Sequence, residues 1–193
     1  MTDSIPDSPS ADDVYIHFSG QMNKKNHGEL RRALRAVRDD VHQIIHLGLY
    51  SKGGTGMYGR WLHDAILDMA TEVRTYNLEE VSSAALFPYV AGRKRYVNKN
   101  STMLLHDTRK INPERSDEDL ARTIENTSRL IACSTGIDIS RIRAMRKNGT
   151  RLTAEEAVEH GFAHAIKPFV VPEGATLIRI GRPYEPRKRR NAH

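Results

Sequence analysis

The chain has 193 residues, 38% of them apolar and 28% charged, which suits one domain with a full hydrophobic core and would make two independent domains a squeeze. Its formal charge of +6 is spread over the body and a basic tail with no interleaved stacking aromatics, a pattern of solvated surface rather than of a nucleic-acid site. No apolar run nears the roughly 20 residues that span a bilayer, the polar N-terminus lacks a signal-peptide layout, and the single cysteine, Cys133, closes no internal disulfide; a soluble, cytoplasmic protein is expected.

Residues 1–12, rich in Ser, Pro and Asp, are expected to be a disordered tail, 13–181 one domain, and 182–193 a basic tail. Val14, Ile16 and Phe18 alternate with Tyr15, His17 and Ser19, the period of a half-buried strand. Asn26 with Glu29 reads as a capping box for a helix with Leu30, Leu34 and Val37 on one face. A second strand, HQIIHLGLYS, runs into the turn KGGTGMYG and a helix through Trp61, Leu62, Ala65, Ile66 and Met69. A third strand, EVRTYNL, leads to EEVSSAALFPYVAG, and residues 95–97 and 102–105 read as short strands. Ser116 is placed to cap a helix carrying Leu120, Ile124 and Ile131 on one side. Asp138 caps another, with Ile139, Ile142 and Met145, which stops at Asn148-Gly149. Thr153 and Glu156 form a capping box for a helix ended by Gly161, and FAHAIKPFVV with TLIRI is read as a closing strand pair. Strands alternating with helices imply an α/β class with a largely parallel core.

The glycine turn supports two kinds of chemistry. Backbone N–H groups at a helix N-terminus hold negative charge. One use is a dinucleotide phosphate: Gly54, Gly56 and Gly59 match G-x-G-x-x-G, and Glu79 or Glu80 lies near the end of the next strand. Against this, a strand and a helix precede the motif, whereas a dinucleotide fingerprint ordinarily follows the first strand. The other use is an oxyanion hole, with Gly53 and Gly54 supplying a donor because glycine lets the backbone come close. That use needs a nucleophile and a base. Ser82 and Ser83 stand at a strand-to-helix junction before Ala84 and Ala85, where a hydroxyl is either presented by the turn or serves as a helix cap. His106 follows the apolar run Met103-Leu104-Leu105 and so lies at a strand's end. No G-x-S-x-G elbow occurs, which argues against an α/β-hydrolase.

In order, these elements resemble the proteolytic subunit of the ATP-dependent Clp protease, of the ClpP/crotonase superfamily. SKGG at 51–54 is similar to the family's SPGG, with Lys52 in place of proline. SSAALFPYVAG at 82–92 is similar to its A-S-M-G-A-x-L-L-A-A-G, and NSTMLLH at 100–106 to its N-S-x-x-M-I-H. TGIDISRI at 135–142 and LTAEEAVEHGF at 152–162 continue the resemblance, which runs from about Val14 to Ile166. It implies a spiral of ββα units in a single α/β domain with a helical handle. It places Ser83 as nucleophile, His106 as base, and Gly53, Gly54 and Ala84 at the oxyanion hole of a serine peptidase acting on peptides, with no metal or organic cofactor. It also implies a homo-oligomer, a ring in the family, and a Clp ATPase or Clp-like partner subunit.

The chain departs from the family at the third triad position. Without a gap, Gly149 falls where the family has an aspartate, with Asn148 beside it as a weaker orienting group; Asp138 and Asp107 are candidate substitute acids that nothing in the sequence places. The segment between His106 and Thr135 is shorter than the family's handle and lacks its glycine-rich strand. Two readings therefore stand beside the peptidase: a non-catalytic Clp-like subunit or scaffold without the triad acid, and a nucleotide-binding α/β protein using Gly54, Gly56 and Gly59. The pairs His42/His46 and His160/His164 have i, i+4 spacing without H-E-x-x-H, which argues against zinc. Cys133 is expected to be a packing residue within its helix.

Overall fold

The computed structural model describes residues 9–37, 44–108 and 116–182. The first strand, β1 (Val14–Ser19), enters α1 (Lys24–Ala36) through Asn23, whose side chain accepts from the Asn26 amide at 2.9 Å. The cap is thus Asn23, three residues before the expected Asn26. Asn26 instead spends its amide on the Gln21 carbonyl, bracing the turn. Leu30 and Leu34 are the buried stripe of this helix.

Next come β2 (Ile44–Ser51), α2 (Gly56–Leu67) and β3 (Glu72–Ser82), longer than the run EVRTYNL suggested because its polar second half is also paired. A single 3-10 turn at Ser83–Ala85 leads into α3 (Leu86–Val90). β4 (Lys94–Val97) and β5 (Thr102–Leu104) precede the long α4 (Asp117–Thr135), capped by Ser116 through the Asp119 amide. Asp138 caps α5 (Ile139–Asn148), and Gly149, with φ of 64°, ends it. After β6 (Arg151–Leu152), α6 (Ala154–Glu159) begins with the Thr153–Glu156 capping box. β7 (Ala165–Ile166) and β8 (Thr176–Gly181) complete the chain of elements.

The strands form one sheet in the order β6-β5-β3-β2-β1-β8, with β4 also on β3 and β7 on β4. Every pairing is parallel except β5 with β6. The expected closing pair does not form. β8 joins β1 and β7 joins β4, so the last two strands lie at different places in the sheet. Each finds an unpaired parallel edge, which the intervening 167–175 segment is long enough to reach.

The length of β3 matters most for function. Its first half, Arg74–Asn77, pairs with β4, and its second half, Glu80–Ser82, with β5. Ser82 stands opposite Leu104 and Val81 opposite Ser51, so β2, β3 and β5 end side by side. In a parallel sheet the carboxyl ends of adjacent strands open onto a common crevice, where ligands bind. One face of the sheet and helices α1 to α6 enclose the main core, which includes Ile16, Phe18, Leu47, Leu49, Leu62 and Val81. On the other face Tyr76, Leu78 and Tyr96 gather with Phe169. There the Tyr15 ring stacks on His46 at 4.5 Å, and His46 bridges Tyr76 Oη at 2.8 Å and Asp13 Oδ2 at 3.1 Å.

Candidate functional site

Three loops leave the aligned ends of β2, β3 and β5, and each carries one part of the candidate site. The β3 loop holds the serines. Ser82 is 2% exposed and donates to Glu80 Oε1 at 2.8 Å, so its hydroxyl is sealed and occupied. Ser83 is half-buried and has φ of +56°, the only non-glycine residue with positive φ among the described residues. A left-handed serine costs about 1–3 kcal/mol and persists only where its surroundings impose it. No feature of the sequence announces that conformation. It turns Ser83 out of the sheet while Ala84 and Ala85 are buried in the next turn.

The β2 loop explains how the turn fits. A Cβ on Gly53 would stand 2.7 Å from the Ser83 Cβ and 2.8 Å from the Ser82 carbonyl oxygen. Gly53 thus clears the space that Ser83 occupies. Its own N–H is engaged by Ser51 Oγ at 3.1 Å, so it is not the donor the sequence suggested; Gly54, the next residue, lines the cavity. Gly54 is pressed against Met22, where a Cβ would lie 2.6 Å from the carbonyl oxygen, and a Cβ on Gly59 would lie 2.2 Å from the Ala84 carbonyl oxygen. Two of the three glycines in the G-x-G-x-x-G pattern are therefore accounted for by close backbone packing. Gly56 has open space around it.

The β5 loop holds His106. Its Nδ1 lies 2.7 Å from the backbone oxygen of Asp107. Ser83 and His106 line one cavity of about 670 Å³ together with Gly54, Ala84, Leu105 and Arg146. No hydrogen bond joins the Ser83 hydroxyl to His106. Met57, Leu86, Phe87 and Ile131 make much of the remaining wall apolar, as suits a pocket for an uncharged side chain.

Asn148 is not brought to this cavity. It is exposed at the end of α5, beside the αL glycine that terminates the helix. Asp138 is likewise occupied at the other end of α5, accepting from the Ser140 amide at 2.8 Å, and the Ser140 hydroxyl, together with that capping bond, holds its carboxyl below the ordinary range. The residue of α5 that does reach the cavity is Arg146, which sequence reasoning missed. Its position four residues after the buried Ile142 put it on the inward face. Arg146 is 4% exposed, and its Nη1 donates to Ile124 O, Thr127 Oγ1 and Ser128 Oγ at 3.0, 2.7 and 2.8 Å. Its Nε stands 3.4 Å from Asp107 Oδ1. Burial pulls the guanidinium below its ordinary value, and Asp107 opposes that pull.

His42 lies outside the described residues, and His46 is buried against Asp13 and Tyr76. His160 meets Arg141 at 2.8 Å, and His164 accepts from the Arg95 amide at 3.0 Å. Among the described residues no cluster of three metal-ligating side chains occurs, and no helix is long and apolar enough to cross a membrane. Asp64, His63 and Ser134 form a second line, with His63 Nδ1 at 2.9 Å from Asp64 Oδ1 and Nε2 at 2.9 Å from Ser134 Oγ. Ser134 lies inside α4, where its amide belongs to the helix, and the Asp64 side chain is 57% exposed. That line ties α2 to α4. Cys133, next to it, is exposed, not the packing residue its helix suggested.

Comparisons with known proteins bear on the family and the fold. The Clp protease family matches residues 10–168. The ATP-dependent Clp protease proteolytic subunit 4 of Rhodococcus jostii (strain RHA1) is 28% identical over 145 residues, covering 71% of this chain and 75% of that protein. ClpP1 from Listeria monocytogenes shares the fold, with a TM-score of 0.74 at 22% identity over 81% of this chain and 92% of that one. An Asn-to-Asp mutant of the same ClpP1 gives a TM-score of 0.73 at 23% identity, covering 80% and 91%. With the family matched over most of its length, this chain belongs to the Clp protease family.

Proposed function

We propose that the chain is a serine peptidase in which Ser83 is the nucleophile and His106 its general base. The observation that carries this reading is the left-handed backbone of Ser83, a strained position in the cavity that His106 also lines. His106 Nε2 takes the Ser83 proton as Oγ attacks a peptide carbonyl. The amides of Gly54 and Ala84 are the donors for the oxyanion; each such donor is worth roughly 3–4 kcal/mol of barrier. His106 then gives the proton to the leaving amine, and water, deprotonated in turn by His106, releases the acyl group. Gly53 contributes clearance for Ser83. Peptides are the substrates in this reading, and the chain assembles with copies of itself and works with a Clp ATPase or Clp-like partner subunit; the Rhodococcus relative is named an ATP-dependent Clp protease proteolytic subunit.

A fluorophosphonate probe tests the reading. Ser83 is expected to be labelled, with the label lost in Ser83→Ala and slowed by at least about 10³ in His106→Gln. A folded protein whose Ser83 stays inert at high probe concentration overturns it. One observation favours a second reading, a non-catalytic subunit acting beside an active partner: Asn148 and Gly149 stand where the family carries its acid, and Asn148 is exposed. An inert Ser83 in a chain that still assembles with an active Clp subunit would establish that reading instead.

A further inference from the structure

The reaction proposed above needs the His106 ring held with Nε2 free of its proton, a task that the exposed Asn148 does not perform. The ring contact present in the structure supplies a different solution. His106 Nδ1 lies 2.7 Å from the Asp107 backbone oxygen. A carbonyl oxygen only accepts, so Nδ1 must carry the hydrogen, and in a neutral imidazole the other nitrogen then bears the lone pair. The main chain of the very next residue thus selects the tautomer that a triad acid ordinarily selects.

A carbonyl can fix a ring only if it is itself fixed, and among the described residues the last backbone tie before His106 is at Leu105, whose amide donates to Thr150 O at 2.8 Å. The Asp107 side chain provides the anchor. Its Oδ1 is buried and accepts no hydrogen bond, and it faces Arg146 Nε at 3.4 Å. A buried carboxylate oxygen without a donor is unfavourable unless a cation stands beside it. Arg146 is in turn pinned to α4 by three oxygens. The connection therefore runs from α4 through Arg146 and Asp107 to the ring.

We infer that Arg146 is the positioning residue of this site: it holds Asp107 so that the Asp107 carbonyl, in place of the family's acid, keeps His106 in the Nδ1–H form with Nε2 as the base. The inference rests on the peptidase reading for its purpose, but its geometry is independent of activity. A carbonyl carries no full charge, so it orients the ring while stabilising the imidazolium less than a carboxylate would.

The test reads the tautomer directly. Nitrogen-15 side-chain spectra of the full chain with labelled histidine, assigned by comparison with His106→Gln, are expected to show His106 as the Nδ1–H tautomer. In Arg146→Met the ring shifts toward the Nε2–H form preferred by free histidine, and Ser83 labelling by the fluorophosphonate slows between about ten- and a hundredfold. Asp107→Ala, a half-buried position whose carbonyl remains, guards against misfolding of the buried variant and is expected to shift the tautomer in the same direction. His106 found as Nε2–H in the unmodified chain, or Nδ1–H retained in both variants, overturns the inference. Because the tautomer is read without turnover, an inert Ser83 would sink the peptidase reading alone. A reactive Ser83 beside an Nε2–H ring would sink this inference alone.

Discussion

Replacing Gly53 by alanine tests the strained serine turn through its support rather than through the serine itself. The added Cβ would lie 2.7 Å from the Ser83 Cβ, 2.8 Å from the Ser82 oxygen and 3.2 Å from the Ala84 nitrogen. Carbon atoms rest about 3.5–4.0 Å apart, so close to 1 Å must be found in a turn whose neighbours are buried. The residue also has φ of 95°, which an L side chain adopts at a cost of about 1–3 kcal/mol. Overpacking adds about 1–3 kcal/mol, giving a loss of about 2–6 kcal/mol. At roughly 2–4 °C per kcal/mol for a chain of this size, the melting temperature should fall by roughly 4–24 °C. The same 1 Å displacement of Ser83 should slow its labelling by about 100-fold. Calorimetry and timed fluorophosphonate labelling read the two effects on one preparation. If Gly53→Ala melts within about 2 °C of the parent and labels within about twofold of it, the 53–83 contact does not govern the site.

Arg95 makes a second case. It is 7% exposed and donates to the Phe162, Ser134, Gly161 and Gly92 carbonyls at 2.9, 3.2, 3.4 and 3.4 Å. Arg95→Met leaves those oxygens without a donor and should cost about 2–5 kcal/mol in urea unfolding; a change below about 0.5 kcal/mol would mean that water replaces the guanidinium freely. Acid should destabilise the protein early. Burial lowers the pKa of His17, His27, His46 and His164 below the ordinary 6.5. The unfolded chain therefore binds protons that the folded chain refuses, so stability is whole above about pH 6.5 and is lost as pH falls from there through the lowered folded values, by up to about 1.4 kcal/mol per pH unit for the buried His46 and by less for the solvent-screened His17 and His164. A urea midpoint that stays flat from pH 7 to pH 5 would contradict this. Finally, since Gly54 and Gly59 are occupied by packing, NAD or ATP at millimolar concentration should leave the melting temperature unchanged, and a clear rise would revive the nucleotide reading.

Where the chain declares its structure locally, sequence and structure agree. Ser116, Asp138 and Thr153 cap their helices as their side chains permit, and the alternation of Val14, Ile16 and Phe18 is a strand. The α1 cap slipped to Asn23 because two asparagines three residues apart satisfy the same local rule. FAHAIKPFVV and TLIRI failed as a pair because strand partnership is decided by which distant edge is open, and period-2 alternation carries no information about that. The same limit applies to the site. Ser83 and His106 were legible as residues at element ends, but their shared cavity depends on the register of β3 against β5. The positive φ of Ser83 and the reach of Arg146 depend on neighbours remote in sequence, so no local pattern encodes them.

The place of β8 has a consequence for how the chain is made. β1 acquires its second neighbour only from residues 176–181, more than 150 residues later in the chain. During vectorial synthesis one side of β1 must wait, its amides and carbonyls unpaired, until residues 176–181 have left the ribosome. A nascent chain halted before residue 176 would carry an open parallel edge of six residues, a template for wrong partners, and such long-range closure is a slow step in folding.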